Sequence, residues 1–95
     1  MRYEILFAPQ ALQDLKRLQA RLRAEVKDAM GKHLRHEPRK VSKSRIKHLR
    51  GLARPQYRLR VGEIRVFYDI TEEVVEVLAI FTKAEATPWL EEKGG

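Results

Sequence analysis

The spacing of apolar residues predicts a strand followed by a helical region in the first third of the chain. Residues 2–7 alternate, with Tyr3, Ile5 and Phe7 on one side, which is typical of a β-strand. After Pro9, apolar residues recur every three or four positions, as a helix face requires: Leu12, Leu15, Leu18, Leu22, Val26 and Met30. This stripe fits one long helix or two helices. One continuous helix would reach about 40 Å, which is longer than so small a domain. We therefore predict a helical hairpin that breaks near residues 19–21.

The second half of the chain reads as three strands. Residues 57–61 and 64–70 alternate around Gly62 and Glu63, which predicts a two-residue hairpin with Gly62 at the positive φ of a type II′ turn. A third strand covers residues 74–82, after a turn at 71–73.

The other segments carry weaker patterns. Residues 39–55 have little periodicity and predict a basic, irregular loop. We expect a short helix around residues 88–92 and a flexible tail from about residue 91 to residue 95. The chain is therefore predicted to be one α+β domain over residues 1–95, with an N-terminal strand, a helical hairpin and a three-strand antiparallel meander forming a twisted sheet packed on the helices.

The hairpin register brings three arginines together. With Gly62 and Glu63 as the loop, Arg60 lies opposite Arg65 and Arg58 opposite Phe67, on the face away from the core. Like charges opposite one another destabilise a sheet, and such local conflicts tend to mark functional sites. The alternative is that the three guanidinium groups extend into solvent or pair with Asp69, Glu76 or Glu63.

Charge is concentrated in the same region. The 95 residues include 20 Lys and Arg against 13 Asp and Glu, a net charge of +7. Residues 32–60 hold eleven Lys and Arg and one acid, a local charge of +10, together with His33, His36 and His48. A positive charge this concentrated attracts polyanions. The alternative is that these residues simply form a solvated basic surface, which has the same composition. Guanidinium groups bind phosphate, and Phe67 beside them offers a surface for a base, which favours RNA over duplex DNA.

The composition and the N-terminal segment exclude or disfavour several kinds of site and of protein. Without cysteine the chain has no disulfide or thiolate metal site. We expect no metal site, because the three histidines lie among cations without a completing carboxylate pair, and no cofactor motif is present. The N-terminus lacks the apolar run of a signal peptide or membrane span, so a cytoplasmic protein without membrane contact is expected.

Three segments in this order resemble a known family. HLRG at residues 48–51, YRLRVGEIRVFYDI at 57–70 and VLAI at 77–80 are together similar to the RelE/ParE superfamily of toxins from type II toxin–antitoxin modules. The resemblance spans nearly the whole chain. It implies a small α+β fold, with RelE-like members cleaving mRNA in the ribosomal A site and ParE-like members poisoning DNA gyrase. Both kinds are silenced by an antitoxin that wraps around them.

The resemblance also implies site residues. Arg58 and Arg60 stand where RelE-like toxins often have lysines, Arg65 matches an arginine of the next strand, and Lys83 takes the place of an arginine after the last strand. These four are the predicted catalytic residues. The tyrosine of the family's tail is missing, with Thr87 or Trp89 nearest.

Metal-free RNA cleavage needs proton transfer as well as charge stabilisation. Arginine stays protonated, so Arg58 and Arg60 are poor bases. Lys83 is the better candidate if neighbouring cations and partial burial favour its neutral form, although it could simply cap the sheet edge. His48 is a second candidate but more often such a histidine belongs to the basic surface. Trp89 either stacks on a base or anchors the C-terminal segment.

The sequence thus predicts a metal-independent mRNA endonuclease that acts on the ribosome and is neutralised by an acidic antitoxin. DNA contact is expected only through an antitoxin complex. A gyrase inhibitor without chemistry and a degenerate RNA- or antitoxin-binding member are the alternatives. The residues expected to bind RNA are Lys43, Arg45, Lys47, His48, Arg50, Arg54, Phe67 and Trp89.

Overall fold

The computed structural model describes residues 2–51 and 53–94. Its elements are, in chain order, β1 (Glu4–Phe7), α1 (Pro9–Arg17), α2 (Ala20–Leu34), β2 (Ile46–His48), β3 (Tyr57–Val61), β4 (Ile64–Thr71), β5 (Val74–Thr82) and α3 (Lys83–Gly94). The predicted N-terminal strand, helical hairpin and three-strand meander are all present, so the α+β fold is confirmed.

The helical region breaks at Leu18 and Gln19, which both have extended backbone angles. Arg23, in the first turn of α2, stabilises this break. Its guanidinium donates to the carbonyl oxygens of Leu15, Lys16 and Leu18 at 3.2, 3.3 and 2.8 Å. Carbonyls in the last turn of a helix lack the usual partner four residues on, so a guanidinium that binds three of them compensates for ending α1 there.

The sheet has five strands in the order β1-β5-β4-β3-β2. β3, β4 and β5 form the predicted antiparallel meander. β1 pairs in parallel with β5, from Glu4 opposite Val74 to Phe7 opposite Val77. β2 pairs with β3 where a loop is predicted. The loop prediction is wrong at Ile46–His48, because three residues are too few to show an alternating pattern.

The central strand β4 is buried on both faces from Ile64 to Ile70. One face packs on α1 and α2 in the main core, where the Tyr68 hydroxyl donates to the carbonyl oxygen of Pro38 at 2.7 Å. On the other face Phe67 packs under α3 in a second, smaller cluster that includes Ala86. The sheet is therefore covered by helices on both sides, and α3 lies beside the three predicted arginines.

Among the described residues, no strand pairs with the far end of the β5 edge, because β1 is shorter than β5. Carboxylates bind its N–H groups instead. Asp14 of α1, only 5% exposed, accepts the N–H of Ile80 at 3.0 Å, and Glu85 accepts the N–H of Thr82 at 2.9 Å. These bonds satisfy donors that would otherwise be unpaired and keep another strand from adding there.

Helix α3 starts earlier than predicted. The sequence indicates a helix around residues 88–92, whereas α3 begins at Lys83. The Thr82 hydroxyl oxygen accepts the N–H of Glu85 at 3.3 Å, while the Glu85 carboxylate accepts from the Thr82 backbone and hydroxyl. This is a capping box, and its T-x-x-E pattern is readable in the sequence. The same bonds from Thr82 lower the pKa of Glu85.

The backbone of residues 91–94 continues α3, and Gly95 lies outside the described residues. The flexible tail expected from about residue 91 stays a prediction. Within residues 2–51 and 53–94, none of the helices combines the length and apolar character that crossing a membrane requires.

Candidate functional site

Three arginines and a lysine meet in one pocket on the α3 side of the sheet. The pocket has a volume of about 310 Å³. It is called the arginine pocket here and is lined by Arg58, Arg60, Arg65, Phe67, Lys83, Ala86, Thr87 and Leu90. All four predicted catalytic residues are therefore brought together by β3, β4 and the start of α3.

The register that predicts this cluster is confirmed. Arg60 lies opposite Arg65 and Arg58 opposite Phe67. Gly62 has a φ of +58°, as a tight turn of this kind requires of its first central residue. A two-residue turn fixes the pairing of everything beyond it, so the arginines share one face by geometry.

Arg65 is held in place by the backbone. It is only 6% exposed, and its Nη1 donates to the carbonyl oxygens of Gly62 and Ile64 at 2.7 and 3.1 Å. No carboxylate of the described residues forms an ion pair with it. Neutral carbonyls satisfy its donors without cancelling its charge, so Arg65 is a fixed, uncompensated cation at the floor of the pocket.

Arg58 is half-buried, and its Nε is a buried donor without a hydrogen-bond partner. Burial lowers the pKa of its guanidinium, and the positive charges of Arg65 and Arg60 lower it further. Arginine nevertheless remains protonated in proteins. A cation disfavoured by its surroundings is stabilised when an anion binds beside it, so the arginine pocket suits a phosphate group.

Two of the three carboxylates suggested as partners of the pocket arginines, Asp69 and Glu76, bind Arg54 instead. Arg54 Nε donates to Asp69 Oδ2 at 2.6 Å, and its Nη2 donates to Glu76 Oε1 at 2.9 Å. Asp69, 7% exposed, also accepts the N–H of Gln56 at 2.8 Å. The bond to Asp69 and its negative charge raise the pKa of Arg54. That Arg54 binds RNA stays a prediction, for a guanidinium that already pairs with two carboxylates within the fold.

The two predicted stacking residues have structural contacts. Phe67 is completely buried, with ring centroids 5.2 Å from Trp89 and 6.5 Å from Phe81. The prediction that Phe67 stacks on a base is wrong for this conformation, since α3 covers the ring. Trp89 is half-buried and lies 5.3 Å from Phe81, edge-on. It therefore anchors α3 to the sheet, which is the alternative stated from the sequence.

Lys83 is exposed at the first position of α3, rather than partly buried as expected. Its backbone N–H donates to the carbonyl oxygen of Glu63 at 2.9 Å, which ties the start of α3 to the β3–β4 turn. The capping box fixes the same turn of the helix. Lys83 is thus positioned at the mouth of the arginine pocket by its backbone.

The other predicted RNA-binding residues lie outside the arginine pocket, near the β2 edge. Lys47 is opposite Arg58 in the β2–β3 register, and the His48 ring lies 4.9 Å from that of Tyr57. Lys43, Arg45 and Arg50 are exposed on either side of β2. None of these five residues lines the arginine pocket.

The arginine pocket offers charge stabilisation and little acid–base chemistry. The pocket is lined by three arginines, which stay charged, and by one lysine, Lys83. Among the described residues, no three His, Cys, Asp or Glu side chains are grouped closely enough to hold a metal ion. The arginine pocket is therefore equipped for phosphate binding, with a lysine nearby.

A mixed sheet packed on a helical hairpin, with a basic pocket on the opposite face, defines the class: the toxins of type II toxin–antitoxin systems. A family model described as the ParE toxin of the type II toxin–antitoxin system, parDE, matches residues 5–87. The chain belongs to this family, and the resemblance to the RelE/ParE superfamily is confirmed.

Solved structures support the same assignment. A chain of the toxin–antitoxin complex RelBE2 from Mycobacterium tuberculosis is 27% identical, with a TM-score of 0.71 over 86% of this chain and 99% of its own. A mutant of the E. coli toxin RelE in the free state is 26% identical, with a TM-score of 0.71 over 98% and 95%. The E. coli DinJ–YafQ toxin–antitoxin complex, at 18% identity and a TM-score of 0.70 over 90% and 97%, shares the fold. A comparison with curated protein sequences finds no match.

Proposed function

We propose that this toxin binds mRNA in the ribosomal A site and cleaves it without a metal ion. The observation that carries the proposal is the uncompensated charge of the arginine pocket. Three guanidinium groups converge there, and none has a carboxylate partner among the described residues. A phosphodiester supplies the missing negative charge, and guanidinium groups bind it through paired hydrogen bonds.

The roles follow from how each side chain is held. Arg65, fixed by two backbone carbonyls, stabilises charge on the phosphate. Arg58 and Arg60 bind the phosphate oxygens from β3. In cleavage the 2′-oxygen loses its proton and attacks phosphorus, the bond to the 5′-oxygen breaks, and that oxygen takes up a proton. Lys83, at the mouth of the pocket, is the residue we assign to proton transfer.

A cognate antitoxin is the second part of the proposal. The matched RelBE2 and DinJ–YafQ structures are toxin–antitoxin complexes. An acidic, largely disordered segment that folds on binding is suited to a partner with a net charge of +7. DNA contact is then expected through the antitoxin complex alone.

Inhibition of DNA gyrase is the alternative, and two observations favour it. The matching family model describes ParE toxins, and Lys83 is the one ordinary acid–base side chain that lines the arginine pocket. A protein that acts by binding alone has no need of a proton-transfer group. In this case the arginines bind the target, and transcripts stay intact.

Inducible expression, with growth and transcript ends followed together, tests the proposal. Arg60→Gln should reduce A-site cleavage by about 100-fold or more, as removal of a charge-stabilising group does in other enzymes. Arg21→Gln, which removes an exposed arginine of α2 outside the pocket, is the matched control and should remain fully toxic. Arg65→Ala, in protein shown to be folded, should behave as Arg60→Gln does.

Primer extension on translated mRNA and a gyrase supercoiling assay separate the alternatives. New transcript ends inside codons support the proposal. Intact transcripts with inhibited supercoiling identify the gyrase inhibitor instead. Absence of any growth defect without the antitoxin identifies a degenerate family member, and overturns both.

A further inference from the structure

A second basic pocket lies between the end of α2 and the segment that leads into β2. Its volume is about 250 Å³. It is called the His33 pocket here and is lined by Lys32, His33, Glu37, Lys40, Ser42, Arg45 and Ile46. It shares no lining residue with the arginine pocket. Four of its side chains are basic and one is acidic.

The lysines of the His33 pocket are weakly engaged. Lys40 Nζ lies 3.7 Å from Glu37 Oε2, and Lys32 Nζ lies 3.2 Å from Asp28 Oδ2, in pairs that are mostly exposed. Exposed pairs contribute little, so both lysines can turn to a ligand at small cost. Arg45 has no carboxylate partner among the described residues, and its Nη1 donates only to a backbone carbonyl at 3.5 Å.

The loop before β2 is shaped by Ser42. Its Oγ accepts the backbone N–H groups of Arg45 and Ile46 at 3.1 and 3.3 Å. This turn holds Arg45 at the junction of the two pockets. The Arg60 N–H donates to the Arg45 carbonyl oxygen at 2.8 Å, and Arg60 lines the arginine pocket. The positive surface therefore continues around the β2 edge from one pocket to the other.

The pKa of His33 is lowered by burial and by the neighbouring positive charges. The side chain is half-buried at the end of α2, with Asp28 and Lys32 on its own helix and Glu37, Lys40 and Arg45 on the following segment. Burial lowers the pKa of His33, as do the charges of Arg45 and Lys32, while Asp28 raises it. At neutral pH the imidazole is therefore uncharged, and an anion in the pocket would favour its protonation.

We propose that the His33 pocket binds a second phosphodiester of the strand held in the arginine pocket, through Lys32, Lys40 and Arg45, with His33 as an added donor in acid. The identity of the strand as mRNA rests on the proposed function, whereas phosphodiester binding at His33 does not. A strand that follows the basic surface from Arg60 past Arg45 passes both pockets.

The proposal implies that affinity depends on pH in a defined direction. Protonated His33 binds the phosphate and neutral His33 does not, so binding strengthens as pH falls. Phosphodiesters do not titrate in this range, so the change reports the protein. One phosphate contact with a single strand is worth about fivefold in affinity at about 0.1 M salt. We expect up to about that gain between about pH 7.5 and about pH 5.5.

The test is fluorescence anisotropy of the full chain with a labelled deoxyribonucleotide strand, which lacks the 2′-hydroxyl and cannot be cleaved. Arg45→Gln should weaken binding about fivefold and make log K less dependent on log salt by about 0.7. Lys40→Gln, at an exposed position, should do the same and guards against a folding defect in the first variant. Lys27→Gln removes an exposed charge of α2 outside the pocket and is the control.

In a His48→Gln background, which removes the other histidine predicted to bind RNA, His33→Gln should abolish the pH dependence, while His36→Gln, at a histidine that does not line the pocket, should retain it. Equal losses of affinity for Arg45→Gln and Lys27→Gln, or a pH dependence that survives His33→Gln, would overturn the proposal.

A second experiment adds inorganic phosphate and follows the NMR signals of the His33 ring. If inorganic phosphate shifts the His33 ring signals but the strand does not displace the phosphate, the pocket binds free phosphate only and the proposal fails. Intact transcripts in cells with normal strand binding would refute the proposed cleavage alone.

Discussion

Arg60→Gln should make the protein more stable while it removes activity. Arg60 lies directly opposite Arg65, and its positive charge also lowers the pKa of Arg58. The substitution therefore relieves two repulsions between like charges. Arg60 is exposed, and no hydrogen bond from its side chain to another described residue is lost.

The size of the gain follows from the geometry. Directly opposed charges on a sheet are worth roughly 0.2–1 kcal/mol. Because Arg60 is exposed and solvent screens its charge, the lower part of this range applies, about 0.2–0.5 kcal/mol. For a chain of this size that raises Tm by about 1–4 °C. The gain should shrink as salt is added, since the Debye length falls from about 10 Å at 0.1 M to about 3 Å at 1 M.

Thermal unfolding by circular dichroism at low and high salt measures the effect. Arg21→Gln again serves as the control, because it removes the same charge from a helix surface. A lower Tm for Arg60→Gln, or a rise in Tm that does not depend on salt, would refute the idea that repulsion among the pocket arginines destabilises the fold. Full toxicity in the more stable variant would refute its link to function.

Three further substitutions test the contacts that hold the fold. Asp14→Ala should destabilise the protein by about 1–3 kcal/mol in urea unfolding, because the buried N–H of Ile80 loses its acceptor, and a loss near zero would contradict this. Tyr68→Phe should cost about 1 kcal/mol by the same measurement, since the Pro38 carbonyl then has no donor, and an unchanged midpoint would show that the bond contributes nothing. Glu85 has a lowered pKa in the folded state, so its stabilisation is present above its unfolded pKa and is lost as pH falls through the folded one. Glu85→Gln should therefore be less stable than the native chain at neutral pH and equal to it in acid, as Tm measured across pH will test.

The candidate site divides into a part that is local in the sequence and a part that is not. The meeting of Arg58, Arg60 and Arg65 was predictable, because a two-residue turn at Gly62 fixes which residues lie opposite one another. Lys83 was reached through the family resemblance. The burial of Phe67 was not predictable, since it depends on α3 packing back onto the sheet from a later part of the chain.

The same distinction holds for the fold. The apolar periods determined β1, the strands of the meander and the helical region, because these patterns reflect which face of each element is buried, whereas the break into a helical hairpin followed from the length that one helix would have. Only the tertiary structure decided that β1 joins β5 in parallel, that a three-residue β2 extends the sheet, and that Arg54 rather than the three pocket arginines takes the carboxylates of Asp69 and Glu76. Each of these contacts joins separate segments of the chain. Their free energy depends on packing and partner choice in three dimensions, which no local pattern records.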